Sequence, residues 1–245
     1  MKVAAIIQAR MGSTRLPGKI LKKVLDKTLL EYQIERVKRA KSIDEIIIAT
    51  TTKESDDQIV QLCQQLSIPY YRGSEEDVLS RYFEAATQFN ADVIVRLTSD
   101  CPIIDPNVID KVVTHYLENK DRYDYVSNTL TRTYPRGLDT EVMSYKALKR
   151  AHEEAKELMY REHVTAYIYH HPDQFRLCNV SNEKDESKHR WTVDTEEDFE
   201  LIEKIIGKLY PENTYFNMND ALKLIDRNPA WFDINSHVEQ KKLFV

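Results

Sequence analysis

Glycine, proline and cysteine are scarce in this sequence. Only five glycines, eight prolines and three cysteines occur among 245 residues. So little glycine and proline argues against collagen-like, low-complexity and disordered chains. The cysteines, Cys63, Cys101 and Cys178, are odd in number and widely spaced. This spacing indicates neither a disulfide framework nor a CxxC metal site.

Long apolar runs are missing as well. No run reaches the ~20 residues that a membrane-spanning helix needs, and the apolar start of the chain is too short for a signal peptide. The hydrophobic share of 42% is nevertheless ordinary for a chain that builds a core, and the charged share of 31% predicts a well-solvated surface. We therefore expect a cytoplasmic protein that does not bind a membrane.

The net charge of −5 is unevenly distributed along the chain. Residues 1–50 hold eleven Lys and Arg against five Asp and Glu, whereas the rest of the chain is acidic. A general nucleic-acid binder is basic overall, so the composition argues against that class. A local basic region on an acidic protein indicates a small anionic ligand instead.

Short apolar runs alternate with helical patterns through the first half of the chain. Runs at 3–7, 46–49, 68–71 and 93–97 are separated by segments whose apolar residues recur at helical spacing. This alternation predicts an α/β fold, with a mostly parallel central sheet and helices on both faces.

The alternation loosens after about residue 120. Strands are expected at 123–129, 141–144, 176–180 and 190–193. Helices are expected at 145–158, 161–171 and 199–209, and a last one at 219–227 is expected to stop at Pro229. Because no repeat or linker is visible, we expect one domain over residues 1–245, elaborated at about 120–190.

The first apolar run leads directly into a basic loop at residues 8–19. In open parallel sheets, ligands bind at the carboxyl ends of strands. The loop places three cations there, around small residues: Arg10, Arg15 and Lys19 with Gly12, Ser13 and Gly18. Such a loop suits phosphate, although a solvated loop without a ligand is the alternative. The absence of GxGxxG and GxxxxGK[ST] argues against NAD enzymes and P-loop NTPases.

Two aspartates follow apolar segments. Asp100 follows the run at 93–97 after Thr98 and Ser99, so its carboxylate is expected at the carboxyl edge of the sheet. Asp194 follows the run at 190–193, but Asp-Thr-Glu-Glu before a helix is also a good N-cap signature. The residues alone leave both a ligand role and a capping role open for Asp194.

Five segments, in order along the chain, resemble one family. Residues 8–19, which end in RLPGK, resemble the nucleotide-binding loop of the sugar-acid cytidylyltransferases, which include the CMP-Kdo and CMP-acylneuraminate synthetases. Four further segments resemble the spore coat polysaccharide biosynthesis protein F group of that superfamily: GSEEDVLSRY at 73–82, LTSDCP at 97–102, REHVT at 161–165 and RWTVDT at 190–195. The resemblance implies a nucleotide-diphospho-sugar transferase fold of the glycosyltransferase A type.

The resemblance also implies a reaction: CTP and a small sugar acid give a CMP-sugar and pyrophosphate, for surface or spore coat polysaccharide biosynthesis. It implies Mg²⁺ as the cofactor, held by Asp100 and Asp194. The implied nucleotide site comprises Ala9, Arg10, Gly12, Ser13, Arg15, Lys19, Arg81 and Asp100, among which Arg10, Arg15, Lys19 and Asp100 take the catalytic roles. The family often has a glycine before the first aspartate, where this chain has Ser99.

On the acceptor side, the resemblance implies substrate binding by Arg136, Asp139, Glu141, Arg161 and His163. Residues 161–163 fan across ~200° of a helix and cannot all face one ligand. A structural role for His163 therefore stays open. An (i, i+4) ion pair between Asp77 and Arg81 is an alternative to a nucleotide contact. Cys101 has no neighbouring His base, which argues against a nucleophile.

Two other functions are considered. A glycosyltransferase of the same fold predicts an Asp-x-Asp at a strand end, but Asp100 and Asp105 are spaced differently. The second is a non-catalytic nucleotide-binding protein of the pathway, and the intact Asp100, Asp194 and basic loop argue against it.

The family resemblance further implies a homodimer. Aromatic residues of the second half are candidates for an apolar interface patch: Tyr123, Tyr125, Tyr134, Tyr145, Tyr160, Tyr167 and Tyr169. The alternative is that these tyrosines complete the core.

Overall fold

A computed structural model describes residues 1–240; residues 241–245 of the predicted domain lie outside the described residues. The strands are β1 (Val3–Gln8), β2 (Lys23–Val24), β3 (Lys27–Thr28), β4 (Glu45–Thr51), β5 (Tyr70–Gly73), β6 (Val93–Thr98), β7 (Tyr125–Ser127), β8 (Glu141–Ser144) and β9 (Leu177–Asn179). The α-helices are α1 (Leu29–Val37), α2 (Asp57–Gln65), α3 (Val78–Gln88), α4 (Pro106–Glu118), α5 (Tyr145–Glu154), α6 (Leu158–Glu162), α7 (Ala166–His170), α8 (Glu196–Leu209), α9 (Met218–Arg227) and α10 (Ala230–Asp233).

Seven strands form one sheet in the order β5-β4-β1-β6-β8-β7-β9, and β2 pairs with β3 separately. Strand β1 runs parallel to β4 on one side and to β6 on the other. Only β8 runs antiparallel to its neighbours within this sheet. The predicted mostly parallel α/β sheet is therefore confirmed. The strand order reverses beside β1, and such a reversal opens a crevice at the carboxyl ends of the strands.

Alternate residues of β1 pack under different helices. Ala5 and Ile7 belong to the core beneath α1, α2 and α4, whereas Ala4 and Ile6 belong to the core beneath α3 and α5. Both faces of β1 are thus buried, which explains why the strand reads as a continuous apolar run. A third core lies under α8 and α9 and contains Trp191.

Side-chain caps determine where several helices begin. Thr28 and Glu31 form a capping box at the start of α1, and Asp105 caps α4, whose first turn carries Pro106. Both caps satisfy backbone N–H groups that have no partner inside a helix.

The second half departs from the predicted elements in several places. The expected helix at 161–171 is two short helices, because Val164 between them has a φ of 43°, which a β-branched residue in a helix does not adopt. Residues 190–193 form no strand, since only an isolated bridge joins Arg190 to Arg136. The expected helix at 145–158 ends at Glu154. The helix expected at 219–227 ends at Arg227, before Pro229, as predicted. It is not the last helix, because α10 begins immediately after Pro229.

Three of the interface tyrosines are part of the chain's own cores. Tyr125, Tyr134 and Tyr167 are all buried, so for them the core alternative is correct.

Within residues 1–240, none of the helices has the length and apolar character to cross a membrane.

Candidate active site

A cavity of about 600 Å³ opens at the carboxyl ends of β1 and β6. Its walls include the loop after β1, the end of β6, part of β8 and the segments that precede α7 and α8. Most of the predicted site residues line it: Arg10, Arg15, Arg81, Asp100, Arg136, Asp139, Glu141, His163 and Asp194. The structure thus brings together residues from the whole length of the chain.

Hydrogen bonds hold the loop after β1 in a defined shape. Ala9 extends the strand by donating its N–H to β4 at 3.1 Å, and the Met11 N–H donates to the Asp56 carboxylate at 2.8 Å. Gly18 closes the loop by donating its N–H to the Met11 carbonyl at 3.1 Å. The φ of Gly18, 66°, lies in the left-handed region that favours glycine. The Ser13 hydroxyl accepts a backbone N–H within the loop.

Glu75 lies beside the first cation of the loop. Its carboxylate is 3.9 Å from the Arg10 guanidinium and also pairs with Lys53. Gly12 packs against the same carboxylate, because a Cβ at this position would lie 3.4 Å from it. The segment after β5 therefore supports the basic loop from one side.

Lys19 joins the basic loop to both candidate metal ligands. Its Nζ lies 2.7 Å from Asp194 Oδ1 and 3.8 Å from Asp100 Oδ2, and it donates to the Val193 carbonyl at 2.6 Å. Arg15 contacts the other oxygen, Asp194 Oδ2, at 2.9 Å. A single ammonium group therefore faces both carboxylates.

A backbone contact brings the two aspartates together. The Val193 N–H donates to the Asp100 carbonyl at 2.8 Å. Asp100 lies two residues beyond the end of β6, near the predicted edge, but Asp194 does not close a strand. The two carboxylates therefore meet because their loops touch, and not because two parallel strands end side by side. Ser99 has no positive φ, so this turn does not require the glycine that is absent there.

Asp194 is not the cap of α8. The Thr195 hydroxyl accepts the Asp198 N–H at 3.3 Å, and the Asp198 carboxylate accepts the Thr195 N–H at 3.2 Å. Burial opposes ionisation of Asp194, but Lys19, Arg15 and the nearby Arg190 outweigh it and hold the pKa of Asp194 below its usual value. The capping interpretation is wrong, and the carboxylate is charged beside the cavity.

Asp77 pairs with a distant arginine and not with Arg81. The Asp77 carboxylate caps α3 through the Ser80 N–H at 2.9 Å and accepts from Arg161 at 2.5 and 3.0 Å. The alternative of an (i, i+4) pair between Asp77 and Arg81 is therefore wrong, and Asp77 instead links α3 to α6. Arg161 is not among the cavity-lining residues. Its contact with Asp77 indicates a structural role instead.

Arg81 is a buried cation that still reaches the cavity. It is 1% exposed, and its guanidinium donates to the Ser74 carbonyl at 2.5 Å. Burial lowers the pKa of Arg81. The Nε of Arg81 is buried and has no hydrogen-bond partner within the described part of the chain.

On the acceptor side of the cavity, Arg136 differs from Arg132 and Arg96 in its partners. Arg132 binds Asp139 through two hydrogen bonds of 2.5 and 2.8 Å. Arg96 pairs with Glu141. Arg136 has no carboxylate within ion-pair distance in residues 1–240. Burial, together with the charge of Arg132, lowers the pKa of Arg136, so an anionic ligand beside it would be stabilised.

Arg96 and Arg132 line the cavity but were missed from the sequence. A signal existed for Arg96, because a cation interrupts the buried apolar run at 93–97. No comparable pattern marks Arg132. Cys101 lines the cavity too, but burial and the Asp100 charge raise the pKa of its thiol well above the usual value. A neutral thiol is a poor nucleophile.

The sheet, its crevice and the cation-rich loop define the class of protein: an α/β protein whose crevice at the carboxyl edge of the sheet is suited to a polyanion. A profile described as cytidylyltransferase matches residues 4–242. The chain therefore belongs to the cytidylyltransferase family, and it is a nucleotidyltransferase.

Three curated relatives each match most of this chain. A Methanocaldococcus jannaschii protein, MJ1063, is 41% identical over 98% of this chain and 97% of its own length. The spore coat polysaccharide biosynthesis protein SpsF of Bacillus subtilis is 35% identical over 91% and 94%. A 3-deoxy-manno-octulosonate cytidylyltransferase of Chlamydia trachomatis is 31% identical over 72% and 68%.

Solved structures share the fold. A cytidylyltransferase from Leptospira borgpetersenii superposes with a TM-score of 0.91 at 35% identity, covering 99% of this chain and 100% of that one. CMP:2-keto-3-deoxy-manno-octonic acid synthetase, in complex with CTP, gives a TM-score of 0.64 at 16% identity, covering 85% and 99%. The predicted nucleotidyltransferase-like fold is confirmed. Family membership sets aside the glycosyltransferase and the non-catalytic binding protein.

Proposed function

We propose that this protein transfers the CMP group of CTP to a sugar acid and releases pyrophosphate. The convergence of Lys19, Asp100 and Asp194 beside Arg15 carries this proposal. In this reaction an acceptor hydroxyl oxygen attacks the α-phosphorus, and the bond to the pyrophosphate oxygen breaks. Such chemistry depends on positioning and charge neutralisation, which a cation-lined crevice supplies.

The basic loop is proposed to bind the triphosphate. Arg10 and Arg15 line the cavity, and Lys19 lies between Asp100 and Asp194. Their charges would neutralise the negative charge that grows on pyrophosphate as it leaves. Arg81 and the backbone at Ala9, Gly12 and Ser13 complete the proposed nucleotide site.

Asp100 and Asp194 fit a hard divalent cation, because their carboxylates face one point that the Lys19 ammonium now contacts. No cluster of three or more His, Cys, Asp or Glu in residues 1–240 is grouped to hold a metal. Two carboxylates suffice for Mg²⁺, which takes one or two and completes its shell with phosphate oxygens and water. When bound, Mg²⁺ would offset charge on the α-phosphate and acidify the attacking hydroxyl.

Arg136 is proposed to bind the carboxylate of the acceptor. Its lowered pKa and its lack of a carboxylate partner in the described part of the chain support this role. A guanidinium recognises a carboxylate with two parallel hydrogen bonds. Asp139, Glu141 and His163 line the same side and would contact acceptor hydroxyls. The relative named for 3-deoxy-manno-octulosonate supports an acid acceptor.

The cellular context is part of the same proposal. Similarity to SpsF, whose name refers to spore coat polysaccharide biosynthesis, supports a role in making a surface polysaccharide. The free thiols of Cys63, Cys101 and Cys178 suit a reducing compartment such as the cytoplasm. We propose one domain over residues 1–245.

We also propose a homodimer through the region at about 120–190. Leu158 in this region is 86% exposed, and an exposed large apolar side chain is suited to an interface. Light scattering at micromolar concentration should give twice the chain mass, and a monomer mass would contradict this proposal.

Pyrophosphate release tests the proposed reaction. The purified protein would be given CTP, UTP, ATP or GTP with Mg²⁺ and either a sugar acid (3-deoxy-manno-octulosonate, an acylneuraminate) or a neutral sugar. We expect release only with CTP and an acid, together with a CMP-sugar in the mass spectrum. Asp100→Asn is the control for contaminating activity. Pyrophosphate release with UTP alone, or with neutral sugars alone, would contradict the proposal.

A further inference from the structure

Arg190 lies behind the cavity, where no role has been assigned to it. Its side chain is 8% exposed and it does not line the cavity. The guanidinium nevertheless contacts Asp194, because Nη2 donates to Asp194 Oδ2 at 2.9 Å. Arg190 therefore reaches the candidate metal site only through another side chain.

The two oxygens of Asp194 have different partners. Oδ1 contacts the Lys19 ammonium, which also faces Asp100. Oδ2 contacts Arg15 and Arg190, both at 2.9 Å. Lys19 and Arg15 belong to the loop proposed to bind the triphosphate, so an incoming triphosphate competes with Asp194 for their charges. Arg190 does not belong to this loop, so it would remain bound to Asp194 when the triphosphate binds Lys19 and Arg15.

Arg190 is held rigidly from behind. Asp198, which is 0% exposed, accepts from Arg190 Nε at 2.8 Å and from Nη2 at 2.9 Å. Asn235 donates to the Arg190 carbonyl and to Asp198 Oδ1, both at 2.8 Å. Gln240 accepts from Arg190 Nη1 at 2.7 Å. The segment after α10 thus fixes the position of Arg190.

Asp198 also holds the main chain of the metal site, since its Oδ2 accepts the Asp194 N–H at 2.9 Å. The side chain and the backbone of Asp194 are therefore both tied to the Arg190–Asp198 pair. A carboxylate held in this way has little freedom to rotate, which is how partners behind a metal ligand orient it.

We propose that Arg190 is a positioning residue for catalysis. It occupies Oδ2 of Asp194 and thereby keeps Oδ1 turned toward Asp100, ready for the divalent cation. This inference rests on the proposed function, specifically on metal binding by Asp194. It makes the segment that carries Asn235 and Gln240 part of the support of the active site.

The test measures metal binding as well as turnover. Arg190→Lys keeps the charge but loses the planar fork, and Arg36→Lys is the matched control. Arg36 is a second buried arginine, 3% exposed, and within residues 1–240 its guanidinium donates only to the carbonyls of Ile104 and Phe216. Binding of Mn²⁺ in the presence of CTP and without acceptor would be followed by electron paramagnetic resonance.

We expect Arg190→Lys to weaken Mn²⁺ binding by about 10–100-fold, the range for residues that orient a metal ligand. Its kcat should fall by a similar factor, while CTP affinity measured in EDTA stays close to that of the wild type. Arg36→Lys should change neither metal binding nor kcat. If Arg190 had a purely structural role, Arg190→Lys would lower the melting temperature, as Arg36→Lys would, and would leave Mn²⁺ binding unchanged.

Asn235→Ala provides a second test that leaves Arg190 in place. It should weaken Mn²⁺ binding in the same direction by about fivefold, the equivalent of one neutral hydrogen bond. Normal Mn²⁺ binding by both Arg190→Lys and Asn235→Ala would overturn the inference, and Asn235→Ala decides alone if Arg190→Lys does not fold. Normal Mn²⁺ binding by Asp194→Asn would instead refute the metal site of the proposed function.

Discussion

Replacing Asp194 by Asn isolates the contribution of one negative charge. Asn keeps the volume and one acceptor oxygen, but it removes the charge that Lys19, Arg15 and Arg190 share. Helix α8 should be unaffected, because Thr195 caps it. Any change in stability or activity is therefore attributable to the lost charge and the lost acceptor oxygen, and not to the helix cap.

We expect Asp194→Asn to lower the free energy of unfolding by about 2 kcal/mol. Hydrogen bonds to charged groups contribute about 1.5–3 kcal/mol each, and the Lys19 bond is poorly screened because the two side chains are 12% and 13% exposed. Arg15, 37% exposed, adds little, and Arg190 keeps Asp198. For a chain of this size the melting temperature should fall by about 4–8 °C.

The stability lost in Asp194→Asn should decrease as the pH falls. The pKa of Asp194 is lowered in the folded state, so its charge contributes stability fully above the unfolded-state pKa of about 3.9. This contribution disappears as the pH falls through the lower folded-state pKa. Melting curves should therefore show a constant difference between wild type and Asp194→Asn near neutral pH, and the difference should narrow below about pH 4.

Asp194→Asn should impair catalysis more severely than folding. We expect kcat to drop at least about a hundredfold, since even partners behind a metal ligand are worth about 10–100-fold. CTP affinity in EDTA should be unchanged or higher, because Lys19 and Arg15 no longer have to leave a carboxylate. An unchanged melting temperature together with near-normal Mg²⁺-dependent pyrophosphate release would refute this reasoning.

Three further predictions concern other parts of the site. Arg15→Ala and Lys19→Ala should each weaken CTP binding by about 1.5–3 kcal/mol in calorimetry; wild-type affinity in both would contradict triphosphate binding by the loop. Thr195→Ala should cost about 1 kcal/mol of stability through loss of the cap and leave kcat intact, and a large loss of kcat would show that cap and site are coupled. Glu141→Gln leaves the buried Arg96 charge without its partner, so denaturant unfolding should show a loss of about 3–5 kcal/mol. Wild-type stability would argue against this pair.

The sequence by itself determined the sheet and the place of the site. The apolar runs that became β1, β4 and β6 were visible because strands buried on both faces need almost only apolar residues. Asp100 and the basic loop could be placed at the carboxyl edge because each lies within three residues of the end of such a run. These predictions rest on local patterns, in which residues near in sequence suffice.

Tertiary structure decided which charged groups meet. Asp194 lies beside Asp100 because the Val193 N–H binds the Asp100 carbonyl, and Arg161 turns to Asp77 because α6 packs on α3. No sequence pattern distinguishes Arg132 from Arg136. In the fold, Arg132 pairs with Asp139, whereas Arg136 lacks a carboxylate partner in the described residues. Ion pairing depends on distances of a few ångströms between segments far apart in the chain, and no local pattern encodes those distances.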